Sequence, residues 1–158
     1  MVELSARRII NRPADTVFEY FSDASNNPKW QTGMQSCEWT SPPPIAIGST
    51  YEQLARFAGR DIRSTFEVTG YEKGRMIEIN TVESTFPIRV VRRVTPIDAN
   101  SCEVSAEISG GPEKGFLKLI EPIMGGRAQK SVDSDYDTLV RVLQASASTD
   151  STANSPSE

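Results

Sequence analysis

Apolar and polar residues alternate with a period of two through most of this 158-residue chain, which is the pattern of β-strands with one covered face. Short segments rich in glycine, proline, asparagine and aspartate interrupt the alternation and are typical of turns. These interruptions delimit seven predicted strands, at 2–11, 37–40, 48–57, 60–71, 75–82, 86–97 and 102–109. Because short connections join most of these neighbours, we expect them to pair as antiparallel hairpins.

Helical features appear directly after the first strand. Pro13 suits a first helical turn, where its missing N–H costs nothing, and Asp15 favours the positive end of the helix dipole. Apolar residues then recur along one face as far as Phe21. A polar stretch breaks this helix, and a second short helix or turn carries Lys29 and Trp30. The sequence therefore predicts two short helices between the first and second strands.

The segment 115–144 is the one long stretch with helical periodicity, and its apolar stripe predicts a helix that lies on the sheet. The apolar face continues through Tyr136, Leu139, Val140 and Leu143. Arg127 is expected close to that inner stripe. Pro122 is expected to kink or break the helix, and Gly125–Gly126 to soften it. One interpretation is a flexible lid over a ligand entrance; the other is a bent helix that simply follows a curved sheet.

This order of elements resembles the START/Bet v1-like (SRPBCC) superfamily, and within it the polyketide cyclase/dehydratase and lipid-transport group. The segments that carry the resemblance are Asn11–Phe18, Asn27–Trp30, Gly48–Tyr51, Thr69–Gly74 and the terminal helix. The resemblance implies an α+β helix-grip fold. In that fold a curved antiparallel sheet of about seven strands wraps round a long C-terminal helix, with two short helices after strand 1. It also implies binding of a hydrophobic small molecule.

Length and composition indicate a single domain over residues 1–144. Residues 145–158 are rich in serine and threonine without an apolar period, which predicts a disordered tail. The net charge of -4 argues against a nucleic-acid-binding protein. No apolar run approaches the length of a transmembrane helix, and the N-terminus is too charged for a signal peptide. We therefore expect a cytoplasmic protein without an integral membrane segment, and a homodimer stays open.

The inward positions of the strands include several small or polar residues, namely Gln53, Ala55, Ser64, Thr81 and Ala106. A filled core favours larger side chains there, since protein interiors are densely packed. We therefore favour an internal cavity between the sheet and the C-terminal helix over a solid core. The predicted ligand-binding residues are Trp39, Tyr51, Phe66, Ile79, Arg92, Phe116, Ile120 and Met124.

Arg92 is the most informative single residue, because strand parity points it inward beside Val90 and Val94. The carboxylates of the neighbouring strands fall on the outer face, so none is expected to pair with it. A buried guanidinium without a partner is costly, which favours a role in binding an acidic group of a ligand. The other interpretation, which the sequence favours slightly, places Arg92 near a strand end with its charged group in water.

The chain contains no histidine, which removes the commonest general base, the Ser-His-Asp and Cys-His schemes and most zinc sites. Cys37 and Cys102 lack metal-ligand spacing and are interpreted as buried apolar residues. No phosphate-binding or dinucleotide-binding motif is present, so no cofactor is expected. Whether the chain is an enzyme stays open, because the resemblance implies that cyclase-like members act largely by positioning a reactive substrate.

Three functions from different classes fit these features. The first is binding or transport of a lipid- or polyketide-like molecule in the cavity. The second is a cofactor-free cyclase or dehydratase acting on a polyketide-like or aromatic substrate. The third is a regulatory interaction module, which requires a large apolar patch on the outer surface; the polar outer faces of the strands speak against it.

Overall fold

The segments of alternating pattern form one antiparallel sheet in the computed structural model of the chain. The structure describes the backbone of residues 2–57, 59–84, 87–111 and 121–153, and the side chains of these residues except 2, 57, 121–125 and 147–153. Within these ranges all the predicted strands are confirmed, with small shifts at their ends. They are β1 Val2–Ile10, β2 Met34–Trp39, β3 Thr50–Phe57, β4 Arg60–Glu72, β5 Met76–Glu83, β6 Ile88–Asp98 and β7 Ser101–Gly110.

The sheet has the strand order β1-β7-β6-β5-β4-β3-β2. Strands β2 to β7 therefore lie beside their neighbours in sequence, as the short turns predicted, and β1 pairs with β7 at one edge. The sheet is curled into a half-barrel, and the expected helix-grip architecture is confirmed. Its inner face accepts the helices.

Two short helical segments follow β1, as predicted. Helix α1 spans Ala14–Ser22 and buries Val17, Phe18 and Phe21, which recur on one face. A 3₁₀ helix spans Ala24–Lys29, and the Asp23 side chain accepts a hydrogen bond from the Ser25 backbone N–H at its start. These two segments bring Phe21 and Trp30 to the same part of the sheet, where their rings lie 5.9 Å apart.

The long helix α2 spans Glu121–Ala153 and is held against the edge strand β1 by side-chain amides. Gln129 Nε2 donates to the Ser5 carbonyl at 2.8 Å, and the Ser5 N–H donates to Gln129 Oε1 at 3.2 Å. Farther along, the Asn11 N–H donates to Gln144 Oε1 at 3.1 Å. These bonds satisfy backbone groups of an edge strand that would otherwise be open to pairing with another chain.

The apolar face of α2 is formed by Tyr136, Leu139 and Leu143, which are buried as predicted. The expectation that Arg127 lies near the inner stripe is wrong, because its side chain is exposed. Arg127 precedes Tyr136 by a spacing that corresponds to roughly half a turn round a helix, so it lies on the opposite side.

The structure modifies the predicted ends of the long helix. The backbone is helical through Gly125 and Gly126, and the predicted segment before Glu121 lies outside the described residues. The helix continues past Gln144 to Ala153, so the predicted tail begins as helix rather than as irregular chain. Here Arg12 Nη1 donates to the Leu143 carbonyl and to Ser146 Oγ, both at 2.9 Å, which holds this turn against the domain. The domain boundary at residue 144 stays a prediction.

The buried apolar residues of the described ranges form two clusters. One lies beneath α1 and α2 and contains residues such as Phe21, Trp30 and Tyr136. The other lines the middle of the sheet, and its members include Tyr51 and Phe66. The candidate site lies where these two clusters meet, because residues of both line the same cavity.

Candidate functional site

Arg92 lies in the middle of the sheet, on β6, opposite Ile77 of β5 and Ala106 of β7. Its inward orientation is confirmed, and only 5% of the residue is exposed. Nη1 donates one hydrogen bond to the Phe21 carbonyl at 2.9 Å and another to Asn27 Oδ1 at 3.1 Å. The interpretation that Arg92 reaches water from a strand end is therefore wrong, since its position is central and the residue is buried.

Two aromatic rings contact the same guanidinium. Its central carbon lies 5.0 Å from the ring centroid of Phe21 and 5.0 Å from that of Trp30. The centroids of the two rings lie only 5.9 Å apart, so the guanidinium contacts both rings without lying between them. Tyr136 completes the group, because its ring packs edge-on against Trp30 at 5.2 Å and against Phe21 at 5.8 Å. Cation–π attraction offsets part of the cost of burying the charge.

Arg92 nevertheless keeps unused hydrogen-bonding capacity. A guanidinium has five N–H donors, and the two bonds of Nη1 use both donors of that nitrogen. Within the described part of the chain, Nε is enclosed without a partner and Nη2 makes no hydrogen bond of regular geometry, although the Tyr136 hydroxyl contacts the Arg92 side chain. No ion pair joins Arg92 to a carboxylate among the described residues. No carboxylate of the described residues therefore balances the charge of this buried cation by an ion pair.

A partly open cavity of about 160 Å³ adjoins Arg92. Four of the predicted ligand-binding residues line it together, namely Tyr51, Phe66, Ile79 and Arg92. Its other lining residues are Asn27, Trp30, Gln31, Met34, Gln53, Ile88, Val90, Ile108, Val132, Asp135 and Tyr136. The wall is thus mainly apolar with a few polar groups, which is the usual composition of a small-molecule site.

The remaining predicted residues are not brought to this cavity by the described structure. Trp39 lies at the end of β2, where its Nε1 donates to Asp23 Oδ1 at 2.8 Å. It lines a separate cavity of about 230 Å³ beside Pro42 and Pro43. The side chains of Phe116, Ile120 and Met124 lie outside the described residues. A ligand-binding role for any of the predicted residues stays a prediction.

Several lining residues come from helices and were not predicted. Val132, Asp135 and Tyr136 of α2 are spaced by three and four positions, so they lie on one face of the helix. The sequence places Tyr136 on the apolar face of the helix, and the same spacing puts Asp135 next to it on the cavity side. Asn27 gave no such signal, because its position depends on the 3₁₀ helix, which lacks an apolar period.

Burial shifts the pKa values of two tyrosines and one carboxylate of the cavity towards the neutral forms of these groups. Burial raises the pKa of Tyr136 to about 12, against the opposing effects of the Arg92 charge and of the contact between its hydroxyl and the Arg92 side chain. Burial likewise raises the pKa of Tyr51, so both phenols are protonated at neutral pH. Burial also raises the pKa of Asp135, although its Oδ1 accepts hydrogen bonds from the Thr32 backbone N–H at 2.9 Å and from Thr32 Oγ1 at 2.7 Å.

This arrangement can hold an apolar molecule and present hydrogen-bond donors to one end of it. The Tyr51 hydroxyl has no hydrogen-bond partner among the described residues, and its ring stacks on Phe66 at 5.1 Å between centroids. Within those same residues, no group of histidine, cysteine, aspartate and glutamate is arranged to hold a metal ion. None of the described helices is long and apolar enough to cross a membrane.

The family model for polyketide cyclase/dehydrase and lipid-transport proteins matches residues 1–144. The chain belongs to this family. The fold of the chain agrees with this family assignment, because solved structures of similar fold share the curled sheet and the C-terminal helix. No curated protein sequence matches the chain.

Three solved structures illustrate the similarity of this family member to its structural neighbours. A protein from Thermus thermophilus has a TM-score of 0.77 at 16% identity, covering 91% of this chain and 98% of that one. A START superfamily protein from Mycobacterium smegmatis has a TM-score of 0.72 at 11% identity, with 92% and 99% covered. The Zhui aromatase/cyclase from a Streptomyces species has a TM-score of 0.70 at 12% identity, with 90% and 93% covered. At these identities the likeness concerns the fold.

Proposed function

We propose that the chain binds a hydrophobic small molecule in the cavity between the sheet and helix α2. The observation that carries the proposal is the convergence of apolar residues from three strands, Phe66, Ile79 and Val90, on a cavity that also contains Arg92 and Tyr51. A core built only for stability gains nothing from a void, because lost contacts cost free energy. The family assignment, which includes lipid transport, supports the same function.

The volume of the cavity indicates the size of the molecule. An apolar cavity of about 150 Å³ is known to accommodate benzene. The cavity of about 160 Å³ therefore suits a single ring or a short chain. A larger lipid- or polyketide-like ligand fits only if part of it extends through the open side or if the helix moves away from the sheet. We accordingly expect one ring or chain end of the ligand to be inserted beside Ile79 and Val90.

A cofactor-free cyclase or dehydratase is the second candidate, because a specific arrangement favours it. The Arg92 cation and the neutral Tyr51 phenol are the kinds of group that polarise a carbonyl and stabilise an enolate. The similar fold of the Zhui aromatase/cyclase supports the same candidate. Turnover of a small poly-ketone probe, lost in Tyr51→Phe while binding is retained, distinguishes catalysis from binding alone.

Isothermal titration calorimetry with benzyl alcohol tests the binding function, because this probe has one ring and no charge. We expect saturable binding to the wild-type protein. Val90→Phe places a larger side chain in the cavity and is expected to weaken that binding at least tenfold. Val82→Phe is the matched control, since Val82 is 62% exposed on the outer side of the neighbouring strand. Absence of binding to the wild type, or equal weakening by both variants, contradicts the proposal.

A cytoplasmic location is proposed from the state of the two cysteines. Cys37 and Cys102 are free and buried, and the pair forms no disulfide, which supports a cytoplasmic location.

The outer face of the sheet carries ion pairs such as Arg89 with Glu78 at 2.8 Å and Arg93 with Glu107 at 3.5 Å. These charges do not support an apolar interaction patch there. Light scattering during gel filtration decides between a monomer and a homodimer.

A further inference from the structure

We propose that the ligand of this cavity carries a single carboxylate, and that Arg92 Nη2 receives it. The inference rests on the proposed binding function and adds the chemical class of the ligand. It starts from the observation that Arg92 is buried, lines the cavity and has donors without partners among the described residues.

The described polar groups that contact Arg92 are neutral, so they do not neutralise its charge. The Phe21 carbonyl and Asn27 Oδ1 both bind Nη1, the rings of Phe21 and Trp30 contribute only their quadrupoles, and the adjacent Tyr136 phenol is protonated. Nη2 makes no hydrogen bond of regular geometry within the described structure, although the Tyr136 hydroxyl contacts the Arg92 side chain. An anionic oxygen that enters the cavity can therefore reach Nη2, and a charge-assisted hydrogen bond there is stronger than one between neutral groups.

Asp135 is the one carboxylate among the described lining residues, and hydrogen bonds from Thr32, rather than an ion pair with Arg92, hold it. Its Oδ1 is already bound by the Thr32 backbone N–H and hydroxyl, and it forms no ion pair with Arg92. Asp135 instead places an acidic group in the wall of the same cavity, which disfavours a ligand that carries a second negative charge. The described wall thus contains one cation and one acidic group.

This charge distribution selects among anions. A phosphate monoester carries up to two negative charges at neutral pH and is usually met by several cationic or N–H donors. The described wall offers one guanidinium, so it matches a singly charged carboxylate better. The Tyr51 hydroxyl, which also lines the cavity without a partner among the described residues, is available to donate to the second carboxylate oxygen. The apolar body of the ligand then lies along Phe66, Ile79 and Val90.

Calorimetry with benzoate and benzyl alcohol tests the proposal, because the two probes share a ring and differ in charge. In the wild type we expect benzoate to bind about tenfold or more tightly than benzyl alcohol, the effect of one hydrogen bond to a charged group. Arg92→Met is expected to abolish this preference while benzyl alcohol still binds. Arg93→Met is the matched control, because Arg93 is the next residue of the same strand and is exposed on the opposite face.

The possible results distinguish failure of the carboxylate inference from failure of the binding function. If benzyl alcohol binds the wild type as tightly as benzoate, or if Arg92→Met keeps the preference, the carboxylate inference is overturned and the binding function stands. If neither probe binds the wild type, the binding function itself fails. Should Arg92→Met not fold, the wild-type comparison still decides, and Arg92→Lys provides a charged variant. That variant is expected to retain part of the preference, because lysine keeps the charge without the planar fork.

Discussion

The guanidinium of Arg92 lies 5.0 Å from the indole ring of Trp30, and both residues line the same cavity. Trp30 comes from the end of the 3₁₀ helix and Arg92 from the middle of the sheet, so their contact joins the helical layer to the sheet. Trp30 Nε1 is itself enclosed without a hydrogen-bond partner among the described residues. Two polar groups left incompletely satisfied at one place are unusual in a structure optimised only for stability, and they favour a binding role.

Tyr51 is expected to contribute to stability through its ring rather than its hydroxyl. The hydroxyl has no partner within the described residues, whereas the ring is 1% exposed and stacks on Phe66. Tyr51→Phe is expected to change the free energy of unfolding by less than about 0.5 kcal/mol. Tyr51→Ala is expected to cost about 3–5 kcal/mol, because it leaves a cavity. Urea denaturation measures both, and a large loss in Tyr51→Phe shows that the hydroxyl is bonded.

Asp135 makes the stability depend on pH in a defined direction. Because burial raises its pKa in the folded state, the protonated form stabilises the fold below the ordinary value of 3.8, and this contribution is lost as pH rises through the raised pKa. Asp135→Asn stays neutral and keeps an oxygen for the Thr32 donors. We expect this variant to be more stable than the wild type at neutral pH and equal to it below 3.8.

Urea denaturation of Asp135→Asn at several pH values checks this dependence. Glu38→Gln is a suitable control, because Glu38 is exposed on β2. The control is expected to show no such pH-dependent gain. A variant that is less stable than the wild type at neutral pH contradicts the account, since it means that the Thr32 hydrogen bonds outweigh the cost of burying the charge.

Gln129 is expected to hold helix α2 on the edge strand. Gln129→Ala removes both hydrogen bonds to the Ser5 backbone, with an expected cost of about 1–2 kcal/mol. The Ser5 amide is expected to exchange its hydrogen faster in this variant. Lys130→Ala, at the exposed next position of the same helix, is the control. Unchanged exchange at Ser5 is the result that argues against this docking role.

The two cysteines are expected to react slowly in the folded protein. Burial raises the pKa of Cys37 and of Cys102 to about 11, and the thiolate is the reactive form. At about pH 8, near the pKa of an ordinary thiol, a thiol reagent is expected to modify both residues only as the protein unfolds. Rapid stoichiometric labelling of the native protein is incompatible with this burial.

The sheet could be predicted from the sequence because its alternation is strong and its turns are short. The inward orientation of Arg92 followed from its parity with Ile88, Val90 and Val94. Its depth did not follow, because whether a strand position is central depends on which strands pair beside it. Here Ile77 of β5 and Ala106 of β7 lie on either side of Arg92, and the residue pattern of one strand alone does not specify this pairing.

The helical wall of the cavity was harder to predict than the sheet wall. Trp39 shares its parity with buried Cys37, yet the end of β2 turns it towards Asp23 instead of the cavity. Parity specifies a face of the sheet but not a position along that face. Asn27 and Trp30 depend on how the 3₁₀ helix folds over the sheet, which is a tertiary contact without a local sequence pattern.

The most direct test of the central claim uses the indole N–H signals of the protein, because the chain contains two tryptophans. Trp30 Nε1 belongs to a lining residue of the cavity, whereas Trp39 Nε1 is bonded to Asp23 beside a different one. In a two-dimensional ¹⁵N–¹H NMR titration with benzyl alcohol, with Trp39→Phe used for assignment, we expect the Trp30 signal to move saturably and the Trp39 signal to stay. A stationary Trp30 signal at the highest probe concentration, or movement of Trp39 alone, contradicts binding in this cavity.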